Sequence, residues 1–371
     1  MKFNRYTLSD LATIKYGKNQ KKVLSDSGNV PIFGTGGLMG FATTSLYDKP
    51  SVLIGRKGTI GKVKYVEQPF WTVDTLFYTI INTDLVIPKY LFYVMSLIDL
   101  NNYNEGTTIP SLRTETLNRL EFDIPDLEEQ RKILSCLNPI DEKIELNNAI
   151  NNNLLEQVLA IYRHHFVDTT NELRQTCRAD EYFDISIGKT PPRKEPQWFS
   201  TNPKDVTWVS ISDMGTCGLY ISESSEQLTR KAIDRHNVKI VPDNTVLLSF
   251  KLTVGRIAIT DGEMTTNEAI AHFKTDKKEI NEYLYCYLKC FNYQTMGSTS
   301  SIATAVNSKI IKGMPFVVPT DEEITEFYSL AAPMFAKIKA NQAEIRNLTS
   351  LRDTLLPKLM SGELDVSGID L

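Results

Sequence analysis

VLIGRKGTIGKVKYV at residues 52–66 returns as VLLSFKLTVGRIAIT at residues 246–260, and this return decides the architecture. The pairing sets Lys57 against Lys251, Thr59 against Thr253, Gly61 against Gly255 and Lys62 against Arg256, an offset of 194 residues. Working outward, the offset is 193 at Tyr90-Leu91 and Tyr283-Leu284, 191 at the polar loops opened by Gly106 and Gly297, and 194 again at FDIP (122–125) against FVVP (316–319). Self-similarity held over most of a chain marks a duplicated unit, with small indels falling in loops. Upstream, Gly17-Lys18 matches Gly188-Lys189 at an offset of only 171, so the second copy carries about 23 additional residues before the shared segment.

After each copy the pattern changes period. From Asp126 and from Thr320, apolar residues recur at alternating steps of four and three, the spacing of a coiled-coil seam. In one helix the seam includes Ile133, Ile144, Asn147, Leu154 and Ile161; in the other it includes Phe327, Met334, Asn341, Leu348 and Leu355. Capping-box spacings, Asp126 with Glu129 and Thr320 with Glu323, predict the helix starts directly after Pro125 and Pro319. Gly362 is a stop for the second helix, and the first fades near Phe166. Pro139 and Pro333 stand at matching positions about three turns in, where a kink is expected. Helices of about 40 residues span ~60 Å, or ~40 Å beyond the prolines. If the two pack antiparallel about the pseudo-twofold axis of the repeat, Asn147 faces Asn341, Ile161 lies near Phe327, Leu154 near Met334 and Ile133 near Leu355.

What lies between is strand-like: Ser51–Ile54, Phe77–Ile81, Val206–Ser210, Thr245–Phe250 and Ile257–Thr260, with short helices over Pro88–Leu97 and Ile280–Cys290. The expected fold is α+β, two globular modules each followed by one long helix. With 371 residues, 42% hydrophobic and 23% charged, there is ample chain for two cores. No window approaches 18 apolar residues and MKFNRYTLSD has no apolar signal core, so a membrane association is not expected and a cytoplasmic location is. Five cysteines without a CxxC pair read as free thiols, mostly in the core. The net charge of −4 conceals an alternation: +5 over residues 1–120, −5 over 121–166, zero over 167–315 and −4 over 316–371.

Catalytic signatures are missing. Gly34 to Gly40 lacks the spacing of a dinucleotide loop and reads as a loop or turn. In GRKGTIGKV (55–63) the glycines stand six apart where a phosphate loop needs five, and Val63 replaces the required hydroxyl residue, so it reads as strand-turn-strand. His164-His165 reads as a helix C-terminal cap. His272, Cys286 and Cys290 could approach one another, but the cysteines read as apolar packing. Asn138-Pro139-Ile140-Asp141 sits inside a helix and is no amino-methyltransferase motif. No metal site is expected.

The chemistry that is present suits nucleic acid. Each module sets Lys and Arg among glycines and hydroxyl residues in loops, the inventory for phosphate positioning and base-edge contacts. In the first module the candidates are Arg56, Lys57, Lys62, Thr107, Thr108 and Arg113. In the second they are Lys189, Arg193, Lys251, Arg256, Ser298, Ser300 and Lys309. Recurrence of Lys57/Lys251 and Lys62/Arg256 between the copies strengthens those pairs. Two other classes stand against this reading: a DNA methyltransferase or nuclease with unrecognised motifs, and a coiled-coil scaffolding adaptor without DNA contact.

Several segments resemble the DNA-specificity subunit of Type I restriction-modification systems: IPDLEEQRKI (124–133), DEKIELNNAI (141–150), GKTPPRKEPQWF (188–199), VTWVSISDMG (206–215), NEAIA (267–271) and, the most specific, LLPKLMSGELDV (355–366). Ile324 departs from the pattern, standing where the first helix has Gln130. The resemblance covers essentially the whole chain. It implies two similar α/β target-recognition domains in tandem, 1–125 and 167–319, separated by two long antiparallel coiled-coil helices, 126–166 and 320–361, with a tail at 362–371. It implies a non-catalytic subunit in which each domain reads one half of a bipartite, asymmetric site in double-stranded DNA. The helices set the spacer, and ~40–60 Å exceeds one DNA turn of ~34–36 Å. It also implies docking of two modification (methyltransferase) subunits carrying S-adenosylmethionine, and of restriction subunits using ATP and Mg, with no cofactor in this chain.

Overall fold

A computed structural model of the chain describes residues 2–169, 171–172, 174–296 and 307–369. It divides into two compact units, Met1–Lys143 with Asn347–Leu371, and Ile144–Arg346. Each unit contains one globular module and a stretch of both long helices.

In the first unit the short β-branched runs build an antiparallel sheet in the order Ala12–Tyr16, Leu76–Ile81, Ser51–Gly55, Val63–Val66. All five residues of Ser51–Gly55 are buried, as expected of a central strand covered on both faces. A second sheet joins Gly37–Ala42, Val30–Gly34 and Trp71–Thr72. The glycine-rich stretch holds the turn of a hairpin at Thr35-Gly36, with Gly34 and Gly37 to Gly40 in its strands and a bulge beside Ile32/Phe33. Helix Pro88–Ser96 buries Tyr90, Leu91, Tyr93 and Met95. These pack in one core with Ile133, Leu134 and Leu137 of the first long helix and Leu356 and Leu359 of the second.

The second unit repeats this plan with an addition. Strands Asp184–Ile187, Ile270–Lys274, Val246–Ser249 and Ile257–Thr260 take the order of their counterparts, and a fifth, parallel strand, Tyr220–Ile221, closes the edge. That strand lies within the additional residues of the second copy. Backbone hydrogen bonds reproduce the repeat: Gly17 N donates to Leu76 O and Gly188 N to Ile270 O, Lys18 N to Thr72 O and Lys189 N to Thr266 O, Leu8 N to Leu120 O and Ala179 N to Met314 O. Donors are offset by 171 residues and acceptors by 194, which confirms both offsets within one fold. Each module also closes on a two-stranded antiparallel ribbon, Phe3–Thr7 with Glu121–Pro125, and Gln175–Arg178 with Pro315–Val318.

The long helices run Leu127–Tyr162, followed by a π-helical turn Arg163–Val167 that contains His164 and His165, and Asp321–Met360. Both continue through Pro139 and Pro333. Asp126 accepts hydrogen bonds from Glu128 N and Glu129 N at 3.0 Å. At Thr320 the box is reciprocal, Glu323 N to Thr320 Oγ1 at 3.3 Å and Thr320 N to Glu323 Oε2 at 2.9 Å. Within each unit the helices are antiparallel: Arg352 pairs with Asp141 in the first, and in the second Tyr162 meets Phe327 edge to face with 6.1 Å between ring centres. Ile133 shares a core with Leu355, and Leu154, Ile161, Phe327 and Met334 share another. Ile144 and Leu348 are half-buried.

The asparagines correct one expectation. Asn147 and Asn341 are both 1% exposed, yet they do not bond each other. Asn147 Nδ2 donates to Glu344 Oε2 at 2.8 Å, and Asn341 Nδ2 donates to Asn151 Oδ1 at 2.9 Å. The register is displaced by about one turn from the predicted one. Each amide thereby donates to its own acceptor on the opposite helix, one of them a carboxylate.

The cysteines correct another. Only Cys286 is buried; Cys136, Cys177 and Cys217 are intermediate and Cys290 is exposed. Cys290 ends helix Asn281–Cys290, one turn beyond Cys286 and past the edge of the core. Among the described residues no helix is long and apolar enough to cross a membrane.

Candidate nucleic-acid interface

In the first module three separate loops meet. Lys57 bridges Ser111 in antiparallel fashion, Gly58 N donates to Pro110 O at 2.9 Å and Leu112 N to Arg56 O at 3.0 Å. The Arg56–Lys62 loop and the Gly106–Arg113 loop are therefore stitched together through their backbones. Gly58 holds φ +87°, and a Cβ there would lie 3.9 Å from Thr35 Oγ1, so the hairpin turn adjoins the same surface. Lys57, Lys62, Thr107 and Thr108 are exposed on it. Arg113 is exposed but pairs with Glu105 at 3.1 Å. Arg56 is half-buried: its Nη1 donates to Asp74 O at 2.8 Å, and its guanidinium lies 5.0 Å from the Tyr16 ring centre. It holds the loop rather than projecting from it.

The second module anchors its Lys251 loop in the same way, while the counterpart of the Gly106–Arg113 loop lies outside the described residues. Arg56 N donates to Thr75 O, and at the matching offset Phe250 N donates to Ala269 O. Thr190 bonds Glu268, so the loops carrying Lys189 and Lys251 adjoin. Ser249 stands where the first copy has Gly55. There a Cβ would collide with the Thr59 carbonyl, whereas Ser249 Oγ donates to the equivalent carbonyl, Thr253 O, at 2.6 Å. That exchange explains how the turn survives loss of the glycine. Lys251 is exposed beside Leu252, which is 98% exposed with φ +61°. Lys189 Nζ donates to His236 O at 2.6 Å. Arg193 pairs with Glu226 at 2.8 Å and lies over Phe199 and Trp208 at 4.1 and 4.6 Å. Arg256 differs from its partner Lys62: it is half-buried, and its Nη1 donates to Ile211 O at 2.6 Å. Lys309 is exposed on helix Ser308–Lys312. Ser298 and Ser300 lie outside the described residues.

Sequence reasoning missed Lys18 and Lys22, exposed counterparts of Lys189 and Arg193 in the first module. The signal was the alignment of Gly17-Lys18 with Gly188-Lys189, which the matched bonds to Thr72 O and Thr266 O now make spatial. Also missed was Gln130, fully buried, whose Oε1 accepts from Ile87 N at 2.8 Å while Nε2 donates to Leu85 O and Pro125 O at 2.9 Å. Ile324 replaces it in the second helix and packs on the core. The polar role passes to Glu323, which Arg174 and Asn171 bond at 2.9 and 2.8 Å. Burial alone would raise the Glu323 carboxyl, but these donors hold it down at about 2.

His272 lies beneath this surface, with Nδ1 3.0 Å from Ser186 Oγ and Nε2 2.7 Å from Thr266 Oγ1. Burial first, then Lys274, lowers its pKa to about 3, so it stays neutral and structural. No group of three or more potential metal ligands exists among the described residues.

Two such modules on paired helices have relatives. The family model described as Type I restriction modification DNA specificity domain matches residues 2–156 and again 172–347. The chain belongs to this family. The two matched spans follow the two copies of the repeat, and they place this specificity chain among recognition subunits rather than catalysts. It is 27% identical over 357 residues to the Type I restriction enzyme MjaIX specificity subunit of Methanocaldococcus jannaschii, covering 87% of this chain and 80% of that one. To the HindI specificity subunit of Haemophilus influenzae it is 23% identical over 365 residues, covering 76% and 79%. The crystal structure of a Type I restriction-modification S subunit from M. genitalium superposes with a TM-score of 0.55 at 17% identity, over 97% of this chain and 96% of that chain, a likeness of fold.

Proposed function

We propose that this specificity subunit reads a bipartite, asymmetric site in double-stranded DNA, residues 1–125 contacting one half and 167–319 the other. The single observation that carries the reading is the matched anchoring of one loop, in which Arg56 N to Thr75 O and Phe250 N to Ala269 O leave exposed Lys57 and Lys251 at equivalent positions of the two modules. Lys18, Lys57, Lys62, Lys251 and Lys309 neutralise phosphates, Thr107 and Thr108 meet base edges, and Arg56 and Arg256 hold their loops. The helices set the interval between half-sites. Their acidic stretches, −5 over 121–166 and −4 over 316–371, suit protein rather than phosphate. On them we place two modification subunits carrying S-adenosylmethionine, with restriction subunits using ATP and Mg joining the complex.

The test is genome-wide adenine methylation in cells expressing this chain with its modification subunit. The expected result is a bipartite motif that vanishes when the chain is omitted. Methylation unchanged by omission, or a motif without two halves, overturns the reading.

A further inference from the structure

The second module carries a device that its counterpart lacks. Tyr220–Ile221 is the edge of its sheet, and an edge strand leaves every second backbone N–H and C=O facing outward. Leu219 O and Ile221 O face inward, accepting from Ile259 N and Asp261 N at 2.9 and 2.8 Å. The outward pair on Tyr220 is taken by one side chain of the C-terminal helix: Tyr220 N donates to Gln342 Oε1 at 3.0 Å, and Gln342 Nε2 donates to Tyr220 O at 3.1 Å. Gln342 thus imitates a neighbouring strand. One turn to either side, Lys339 pairs with Asp261 at 2.9 Å and lies 5.2 Å over the Tyr220 ring, and Arg346 pairs with the same carboxylate at 3.2 Å. Gln342 and Arg346 line a cleft of about 820 Å³ together with Tyr220, Asn148 and Asn152. The repeat puts Glu145, Asn148 and Asn152 at the positions equivalent to Lys339, Gln342 and Arg346, and the first module has no equivalent of the edge strand.

We propose that Gln342, with Lys339 and Arg346, is a latch that fixes the orientation of the second module on its helix and thereby the half-site interval the subunit accepts. These are positioning residues, and the proposal rests on the bipartite reading above. Surface ion pairs contribute little alone, but a side chain that must both accept and donate admits one geometry. Gln342→Glu keeps size and acceptor, loses the donor and turns a carboxylate toward the Tyr220 carbonyl.

The experiment compares wild-type complex, Gln342→Ala, Gln342→Glu and the pair Lys339→Gln/Arg346→Gln. Methylation is measured on duplexes carrying the mapped half-sites at the native spacer and at one base pair more or less, with amide exchange at Tyr220 read on the same complexes. Wild type is expected to favour one spacer and protect Tyr220. The variants are expected to lose about tenfold of spacer discrimination, the scale of two hydrogen bonds, to exchange Tyr220 faster, and to keep both half-site sequences. Unchanged discrimination, or Tyr220 exchange equal to wild type, overturns the latch. If Gln342→Ala does not fold, the Lys339/Arg346 pair decides alone. Absence of any bipartite motif in wild type would defeat the functional reading, while Tyr220 exchange still judges the latch.

Discussion

At the scale of single residues, equivalent positions have taken different work. Lys57 and Lys251 are both exposed, whereas Lys62 is exposed and Arg256 is spent on Ile211 O. Lys57→Ala and Lys251→Ala are expected to weaken DNA binding by the assembled complex and each to reduce the salt slope by about one, read from titrations over ionic strength. Arg256→Ala is expected to lower stability with little change in that slope, because its guanidinium is engaged within the fold. Pattern-matching could pair Lys62 with Arg256 but could not tell a projecting cation from a loop brace, since that depends on where a carbonyl 45 residues away lands. Glu282 was illegible for the same reason. It is 8% exposed, and its Oε2 has no partner among the described residues. Burial, opposed by its own backbone hydrogen bond and reinforced by Glu279, raises its pKa to about 7. A carboxyl raised in the folded state favours folding below its unfolded pKa near 4.5, and that contribution is lost as pH rises through about 7. Glu282→Gln is therefore expected to stabilise the protein at pH 8 and to be near neutral at pH 5, in denaturant melts at the two values.

At the scale of elements, the periodic parts were the most legible. Caps at Asp126 and Thr320 set both helix starts within a residue, because capping chemistry is local. Of the seam residues, Ile133 and Leu355 lie in one core and Leu154, Ile161, Phe327 and Met334 in another, while Ile144 and Leu348 are half-buried outside both. The register between the helices was not legible: a repeat fixes what is equivalent, not which turn meets which, and Asn147 settled on Glu344 and Asn341 on Asn151. That register makes a specific demand on helix engineering. A heptad inserted after Asn147 alone should throw Asn151 out of line with Asn341 and lower the melting temperature. A heptad after Asn147 matched by one after Ala343 should restore pairing and lengthen the DNA spacer by about 10 Å, roughly three base pairs, read from the methylated motif. The glycine-rich hairpin at Val30–Ala42 escaped detection because a bulge breaks the alternation by which strands are recognised.

At the scale of the whole molecule, duplication was visible from fifteen residues and their return, while the convergence of loops was not, since 35–36, 56–62 and 106–113 come together only through the folded module. Replacing residues 1–125 with the corresponding module of another specificity chain is expected to change one half of the methylated motif and leave the other and the spacer intact; alteration of both halves would count against independent readout. The two-stranded ribbons explain why such an exchange is feasible. Phe3 lies opposite Pro125, and Gln175 opposite Val318, so the chain leaves each module beside the point at which it came in. A gene built this way offers natural crossover sites in the helix-coding stretches that both copies share. Recombination there delivers an intact cassette, and a lineage can acquire a new recognition sequence in one event without refitting the machinery that acts on it.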